Sequence, residues 1–249
     1  MAKLNFKNGS KFCYSVKEIK LKDFYDKAIE ISEYNDEEDY IIELRLDYLI
    51  GKGVNFTDII DCINLISKST DKQLIATIRS FEQSGNCIVD SKTYFSMIEL
   101  LYNKAKVDAI DIDYCMYEKK KKNYDELLGS KKTTIITYTS FDKIWTRDEY
   151  LSLYKTLVKT SADVIKCEIK AHNMDNVKDM MDTAKESIEL FSHSKKDVVI
   201  IAVGRLGMLS RVMHDYTNTK IVYLTAYEYD SIPHGELDMV HYNKYKKMI

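Results

Sequence analysis

Ala162-Asp163-Val164-Ile165-Lys166-Cys167-Glu168-Ile169 reads as a buried β-strand with a cation set into it. A lysine in such a run needs a reason. Burial disfavours the ammonium and lowers its pKa, so Lys166 is either paired with an anion or a neutral amine able to attack a carbonyl. The plainer alternative is a lysine at a helix-covered edge that snorkels to water.

Working outward, the same kind of apolar, β-branched run recurs along the chain. Eight are expected as strands: Phe12 to Val16, Tyr40 to Leu46, Gln73 to Ile78, Ala109 to Asp113, Thr134 to Tyr138, Asp163 to Ile169, Val198 to Val203 and Lys220 to Leu224. Helical spacing fills the gaps, as with Phe24, Ile29 and Ile31, or Ile59, Ile60, Ile63 and Ile66. Strands alternating with amphipathic helices imply a parallel sheet, and eight units in 249 residues fit an α/β chain folded as a (β/α)8 TIM barrel. An open doubly wound sheet is the competing architecture, but no Gly-rich turn follows the first strand. A single domain over 1–249 is expected, because one proline, eight glycines and no Ser/Gly-rich stretch leave no linker. Leu4 to Phe12, with Asn8-Gly9 at its centre, carries the signal of a short N-terminal hairpin.

Composition excludes several functions. A formal net charge of -2 offers no field for nucleic acid or an anionic membrane, and Lys119 to Lys122 reads as a solvated loop. Five widely spaced cysteines without a C-x-x-C pair read as free thiols in a reducing compartment. The N-terminus has no signal-peptide core and no apolar run approaches the ~20 residues a membrane span requires, so a cytoplasmic protein is expected. Neither nucleic acid nor a membrane is implied as a partner.

In a barrel, chemistry gathers at the C-terminal ends of strands. The second run ends Glu43-Leu44-Arg45-Leu46-Asp47, where period-two alternation puts the three charged residues on one face. The third ends Thr77-Ile78-Arg79-Ser80, and the fourth carries Asp111 and Asp113. Satisfied ion pairs that only fill a layer explain any single pair as well as a binding role does, but not several facing one lysine. Gly207-Met208-Leu209-Ser210-Arg211 offers an arginine able to grip a carboxylate, and Ser231-Ile232-Pro233-His234-Gly235-Glu236 a loop able to close as a lid.

Together, Glu43-x-Arg45-x-Asp47, Thr77-x-Arg79, Asp108-x-x-Asp111, Ala162-Asp163-x-x-Lys166, Gly207-x-x-Ser210-Arg211 and Ser231-x-Pro233 resemble type I 3-dehydroquinate dehydratase, a (β/α)8 lyase of the shikimate pathway. The resemblance implies that Lys166 forms an imine with the ketone of 3-dehydroquinate, after which a neighbouring proton and water leave. It implies that Arg211 and Ser231 hold the substrate carboxylate, that Glu43, Arg45 and Arg79 bind ring hydroxyls, and that Ser15 lines the pocket. It implies no metal or organic cofactor, and a homodimer.

Two departures from the family pattern interact. Where the fifth strand of the family ends Ser-Tyr-His-Asp-Phe, this chain reads Thr137-Tyr138-Thr139-Ser140-Phe141, so Thr139 stands in place of the acid–base histidine. The family's Glu-Gly-Gly after the third strand, which supplies that histidine's partner, is Gln83-Ser84-Gly85 here, with Glu82 one position early. The lid contains one residue more than the family's Pro-Gly-Gln, so either Glu236 replaces that glutamine or the loop is rebuilt. Three readings follow: a dehydratase with another base, His234 before His172, Tyr138 or a bound water; imine chemistry on a different hydroxylated keto acid; or a binding or catalytically silent relative.

Overall fold

The computed structural model describes residues 3–34, 39–129, 131–226 and 235–249. Strand and helix alternate: β1 (Lys11–Val16), α1 (Leu21–Ser32), β2 (Tyr40–Arg45), α2 (Asp47–Ile50), α3 (Phe56–Ser69), β3 (Gln73–Thr77), α4 (Ser91–Lys104), β4 (Ala109–Asp113), α5 (Tyr114–Lys119), α6 (Lys121–Leu127) and β5 (Thr133–Ser140). Then come α7 (Arg147–Leu157), β6 (Val164–Lys170), α8 (Met174–Glu186), α9 (Ile188–His193), β7 (Asp197–Val203), α10 (Met208–Val212), β8 (Ile221–Leu224) and α11 (Met239–Lys246). The strands form one eight-stranded sheet in the order β7-β6-β5-β4-β3-β2-β1-β8. Parallel strands in chain order with helices between them make the fold class the (β/α)8 barrel expected from the sequence.

The chain divides into two compact units, one of Met1–Asn5 with Tyr14–Ile136 and one of Phe6–Cys13 with Thr137–Ile249. In the first, β2, β3 and β4 pair in parallel, and the register places Arg45 beside Thr77 and Thr77 beside Asp111. Helix α3 begins where Asn55 accepts the Thr57 N–H at 2.8 Å, and it buries Ile59, Ile60, Ile63 and Ile66 as their spacing predicts. In α1 the buried stripe is Phe24, Ala28 and Ile31, so Ala28 rather than the half-buried Ile29 completes the i, i+4, i+7 face. Tyr94 ties the ends of two strands together: its hydroxyl donates to the Ile78 carbonyl at 2.9 Å and accepts from the Asp113 N–H at 3.0 Å. Such phenols are core residues with a polar handle, and Tyr40, Tyr94, Tyr117 and Tyr124 are among the largest fully buried side chains.

In the second unit β6 and β7 pair in parallel from Val164 beside Asp197 to Lys170 beside Val203. Helix α7 opens on a reciprocal capping box, in which Thr146 accepts from the Glu149 N–H and Glu149 from the Thr146 N–H. After β7 the chain turns sharply, and only glycine fits at 207, because a Cβ there would lie 1.9 Å from the Ala202 oxygen.

Two expectations change. Asn8-Gly9 does form a turn, with the Gly9 N–H donating to the Phe6 carbonyl at 3.1 Å and Gly9 at φ +110. Leu4 to Phe6 is irregular backbone, so this is a turn leading into β1 without a partner strand before it. Lys119 to Lys122 is no loop: Lys119 ends α5 and Lys121 starts α6, with Lys121 3.9 Å from Glu118 and over the Tyr117 ring.

Candidate active site

Lys166 is 2 % exposed, so it does not snorkel. Its Nζ lies 3.3 Å from Glu168 Oε1 and donates to the Tyr223 hydroxyl at 3.2 Å, with the Tyr223 ring centroid 4.5 Å away. Strand alternation explains the first contact, since Lys166 and Glu168 are two apart on β6 and share a face, while Ile165, Cys167 and Ile169 take the other. Tyr223 comes from β8. Of the options open to a buried lysine, this geometry is the one in which a carboxyl group stands against the nitrogen. All three groups are nearly excluded from water, where ion–dipole and proton-transfer interactions are strengthened.

Arg211, on α10, is buried and anchored by backbone: Nε donates to the Tyr223 carbonyl at 3.2 Å and Nη1 to the Ala202 carbonyl at 3.3 Å. Among the described residues Nη2 makes no hydrogen bond. Burial pulls the guanidinium down to about 10, with the Glu236 carboxylate working against that. Ser210, next to it, braces the turn by donating to the Gly207 carbonyl at 2.7 Å and accepting from the Ala202 N–H at 3.0 Å. Thr139 lies near the C-terminal end of β5, and its buried Oγ1 has no hydrogen-bond partner among the described residues. Tyr138 meets the Trp145 ring edge-on at 5.6 Å, and His172 is exposed beyond β6.

The first unit holds the polar strand ends. Glu43 is 3 % exposed and accepts from Ser15 Oγ at 2.5 Å and Thr77 Oγ1 at 2.8 Å, so β1, β2 and β3 fix one carboxylate. Arg45 forms a fork with Asp47, Nε to Oδ1 at 2.8 Å and Nη2 to Oδ2 at 2.9 Å. Burial works against the charge on Arg45, but Asp47 outweighs it and holds the guanidinium charged well above its ordinary range. Asp47 starts α2 and does not continue the strand, and it also accepts from the Asn86 N–H at 3.1 Å. Arg79, half-buried past the end of β3, is held below its ordinary value by burial and then by the Arg45 charge. Asp113 serves the fold, since its Oδ1 caps α5 through the Cys115 N–H at 2.7 Å and Ser80 donates to its Oδ2. Of Glu82 and Gln83, Glu82 is exposed and Gln83 is buried.

Ser231, Pro233 and His234 lie outside the described residues; Glu236, half-buried, is within them. Sequence reasoning assigned Glu168 no role and missed Tyr223. The signal for Glu168 was available, because the alternation that pairs Glu43 with Arg45 applies equally to Lys166 and Glu168. Tyr223 is 57 residues from Lys166 and carries no local signal.

The pattern of the family described as type I 3-dehydroquinase matches residues 12–241. The chain belongs to the type I 3-dehydroquinase family. It is 26 % identical over 194 residues to the 3-dehydroquinate dehydratase of Streptococcus sanguinis (strain SK36), covering 78 % of this chain and 80 % of that protein. It is likewise 26 % identical over 196 residues to that of Alkaliphilus oremlandii (strain OhILAs), covering 75 % and 72 %. Among solved structures, the type I 3-dehydroquinate dehydratase of Clostridium difficile, determined with covalently modified comenic acid, superposes with TM-score 0.83 at 19 % identity over 96 % of this chain and 92 % of that one. Identity that low speaks to the fold alone, and the fold of the type I 3-dehydroquinase family is the one described above.

Proposed function

We propose that this chain is a 3-dehydroquinate dehydratase, a lyase that converts 3-dehydroquinate to 3-dehydroshikimate through an imine on Lys166 and needs no metal or organic cofactor. The observation that carries the reading is the buried lysine of β6, in a member of the type I 3-dehydroquinase family, with a carboxylate and a phenol against its Nζ. An imine makes the ring carbon an electron sink, so that the adjacent C–H acidifies and the β-hydroxyl can leave.

The remaining residues take the roles the family resemblance assigns. Arg211, anchored through two of its nitrogens, meets the substrate carboxylate, with Ser231 and Glu236. Glu43, Arg45 and Arg79 meet ring hydroxyls, with Ser15 positioning Glu43. Such a set suits an anionic polyol, which needs a cation for its carboxylate and donors and acceptors for its hydroxyls. Thr139 occupies the position of the family's histidine. A cytoplasmic homodimer belongs to the same reading, and light scattering on the purified chain tests the dimer.

One observation favours a second reading, a silent relative that binds the same class of ligand: where the family resemblance calls for a histidine the chain has Thr139, whose hydroxyl cannot act as a base near neutral pH. Turnover separates the two. Purified protein mixed with 3-dehydroquinate should develop the ultraviolet absorbance of the conjugated enone. Ligand binding without that absorbance assigns the chain to the silent reading.

A further inference from the structure

A dehydratase without the family's histidine must obtain its proton transfers elsewhere, and Lys166 has a proton acceptor in contact. Glu168 Oε1 lies 3.3 Å from Nζ on the same strand face, and both side chains are sealed from water, Glu168 at 10 % and Lys166 at 3 % exposure. The carbon that must lose a proton is two covalent bonds from the imine nitrogen, roughly 2.5 Å away, so a carboxylate at hydrogen-bond distance from Nζ reaches that carbon's hydrogen as well. Among the described residues no histidine offers this: His172, His193 and His241 are exposed, and His214 Nε2 is hydrogen-bonded to the Tyr242 hydroxyl at 2.9 Å. The paired Lys166 and Glu168 are also fixed in register by the β6–β7 ladder, beside Val199 and Ile201, so the carboxylate is held by strand geometry and not by a loop.

We propose that Glu168 is the catalytic acid–base residue of this chain, carrying the protons that the family's histidine carries, with Tyr223 positioning Lys166 Nζ. The inference rests on the imine dehydratase reading above. Glu168 first takes a proton from the Lys166 ammonium, and the neutral amine adds to the ketone, forming the C–N bond as the C=O π pair moves to oxygen. Glu168 returns that proton and the nitrogen gives up a second one to the oxygen, which departs as water, so ammonium and ketone have become iminium and water. The Glu168 carboxylate then removes the proton from the adjacent carbon, and the C–H pair becomes the C=C of a neutral enamine. The enamine expels the β-hydroxyl, which takes the proton from Glu168 and leaves as a second water, regenerating a conjugated iminium. Attack by water on the iminium carbon releases the enone and restores the Lys166 ammonium. One water is consumed for two released, as dehydration of the substrate requires, and Glu168 ends as it began. Tyr223 keeps its proton throughout and holds Nζ through its hydroxyl.

The test uses Glu168→Gln, nearly isosteric with the native side chain. Without the carboxylate an amine that has lost its proton can still add to the ketone, its nitrogen giving both remaining protons to the departing oxygen, so the imine forms, more slowly, while the later C–H proton has no acceptor. Expected is loss of turnover by about 10²–10⁴-fold with retention of the borohydride-trapped adduct in intact mass. Glu168→Asp, which withdraws the carboxylate by one carbon, is expected to recover part of the turnover over Glu168→Gln and serves if the glutamine variant does not fold. Turnover of Glu168→Gln within a few-fold of the unaltered chain overturns the proposal, as does Glu168→Asp no faster than a folded Glu168→Gln. Absence of both product and adduct from the unaltered chain overturns the dehydratase reading together with this one, whereas product from it with an indifferent Glu168 overturns this one alone.

Discussion

Lys132 and Lys166 are both lysines buried at strands, and their partners differ in kind. Lys132, just ahead of β5, donates to the Ala105 carbonyl at 2.5 Å and the Val107 carbonyl at 3.2 Å, where α4 has ended and the chain approaches β4. Ala105 closes α4 and Val107 lies beyond it, and their carbonyl oxygens can neither take nor return a proton. Lys196, ahead of β7, repeats the arrangement with the Thr160 and Ala162 carbonyls. Lys166 sits inside its strand against a carboxylate and a phenol, both proton-bearing groups. Burial of a lysine therefore does not mark a reactive site; the chemistry of what surrounds its nitrogen does.

The largest effect expected separates those two. Lys166→Met should abolish enone formation, a fall on the order of 10⁴-fold or more in an absorbance assay. Lys132→Met should leave turnover unchanged while lowering stability by about 1–3 kcal/mol in urea unfolding, because two buried carbonyls lose a charged donor. Equal losses of activity in both would erase the distinction.

Asp47→Ala probes the same contrast in an ion pair. It leaves the Arg45 fork without its carboxylate and should cost roughly 3–5 kcal/mol of stability by chemical denaturation. A cost below about 1 kcal/mol would mean that the pair contributes little beyond filling space. A smaller gain is expected from Thr139→His in the Glu168→Gln background. An imidazole on β5 should restore turnover by about 10-fold as a substitute acid–base group, and no change would argue that residue 139 has no access to the reacting atoms.

The smallest effect concerns the buried His214, whose Nε2 meets the Tyr242 hydroxyl. Burial lowers its pKa, with Asp215 opposing. As pH falls below the unfolded value of about 6.5, the unfolded chain binds the proton before the folded one, so stability is lost with acidification and is unaffected by this group at higher pH. Urea midpoints between pH 5 and 8 should vary less in His214→Gln than in the native sequence.

Much of the frame was visible in the sequence because it depends on local periodicity. Ala109 to Asp113 was expected as a strand and is β4 without a residue's difference, and the end of the second run misjudged only Leu46 and Asp47, where the chain turns into α2. Asp47 and Asp113 illustrate the limit. Both are charged residues at strand ends, yet one clamps Arg45 and the other caps α5, roles set by neighbours distant in sequence or by where the next helix starts. The candidate site was half visible for the same reason. Lys166 and Arg211 stand out as charged residues beside apolar runs, as Glu43 does in the first unit, and Thr139 departs from the pattern of the family that the sequence resembles. Tyr223 could not be found locally, since only the approach of β8 brings its hydroxyl to Nζ.

The most direct test of the account is to incubate the purified chain and Lys166→Met with 3-dehydroquinate, following enone absorbance and taking intact mass after borohydride. Product and a single trapped adduct, mapped by peptide mass to Lys166, are expected in the native chain, and neither in the variant. An adduct on another residue, or product that survives in Lys166→Met, would contradict it.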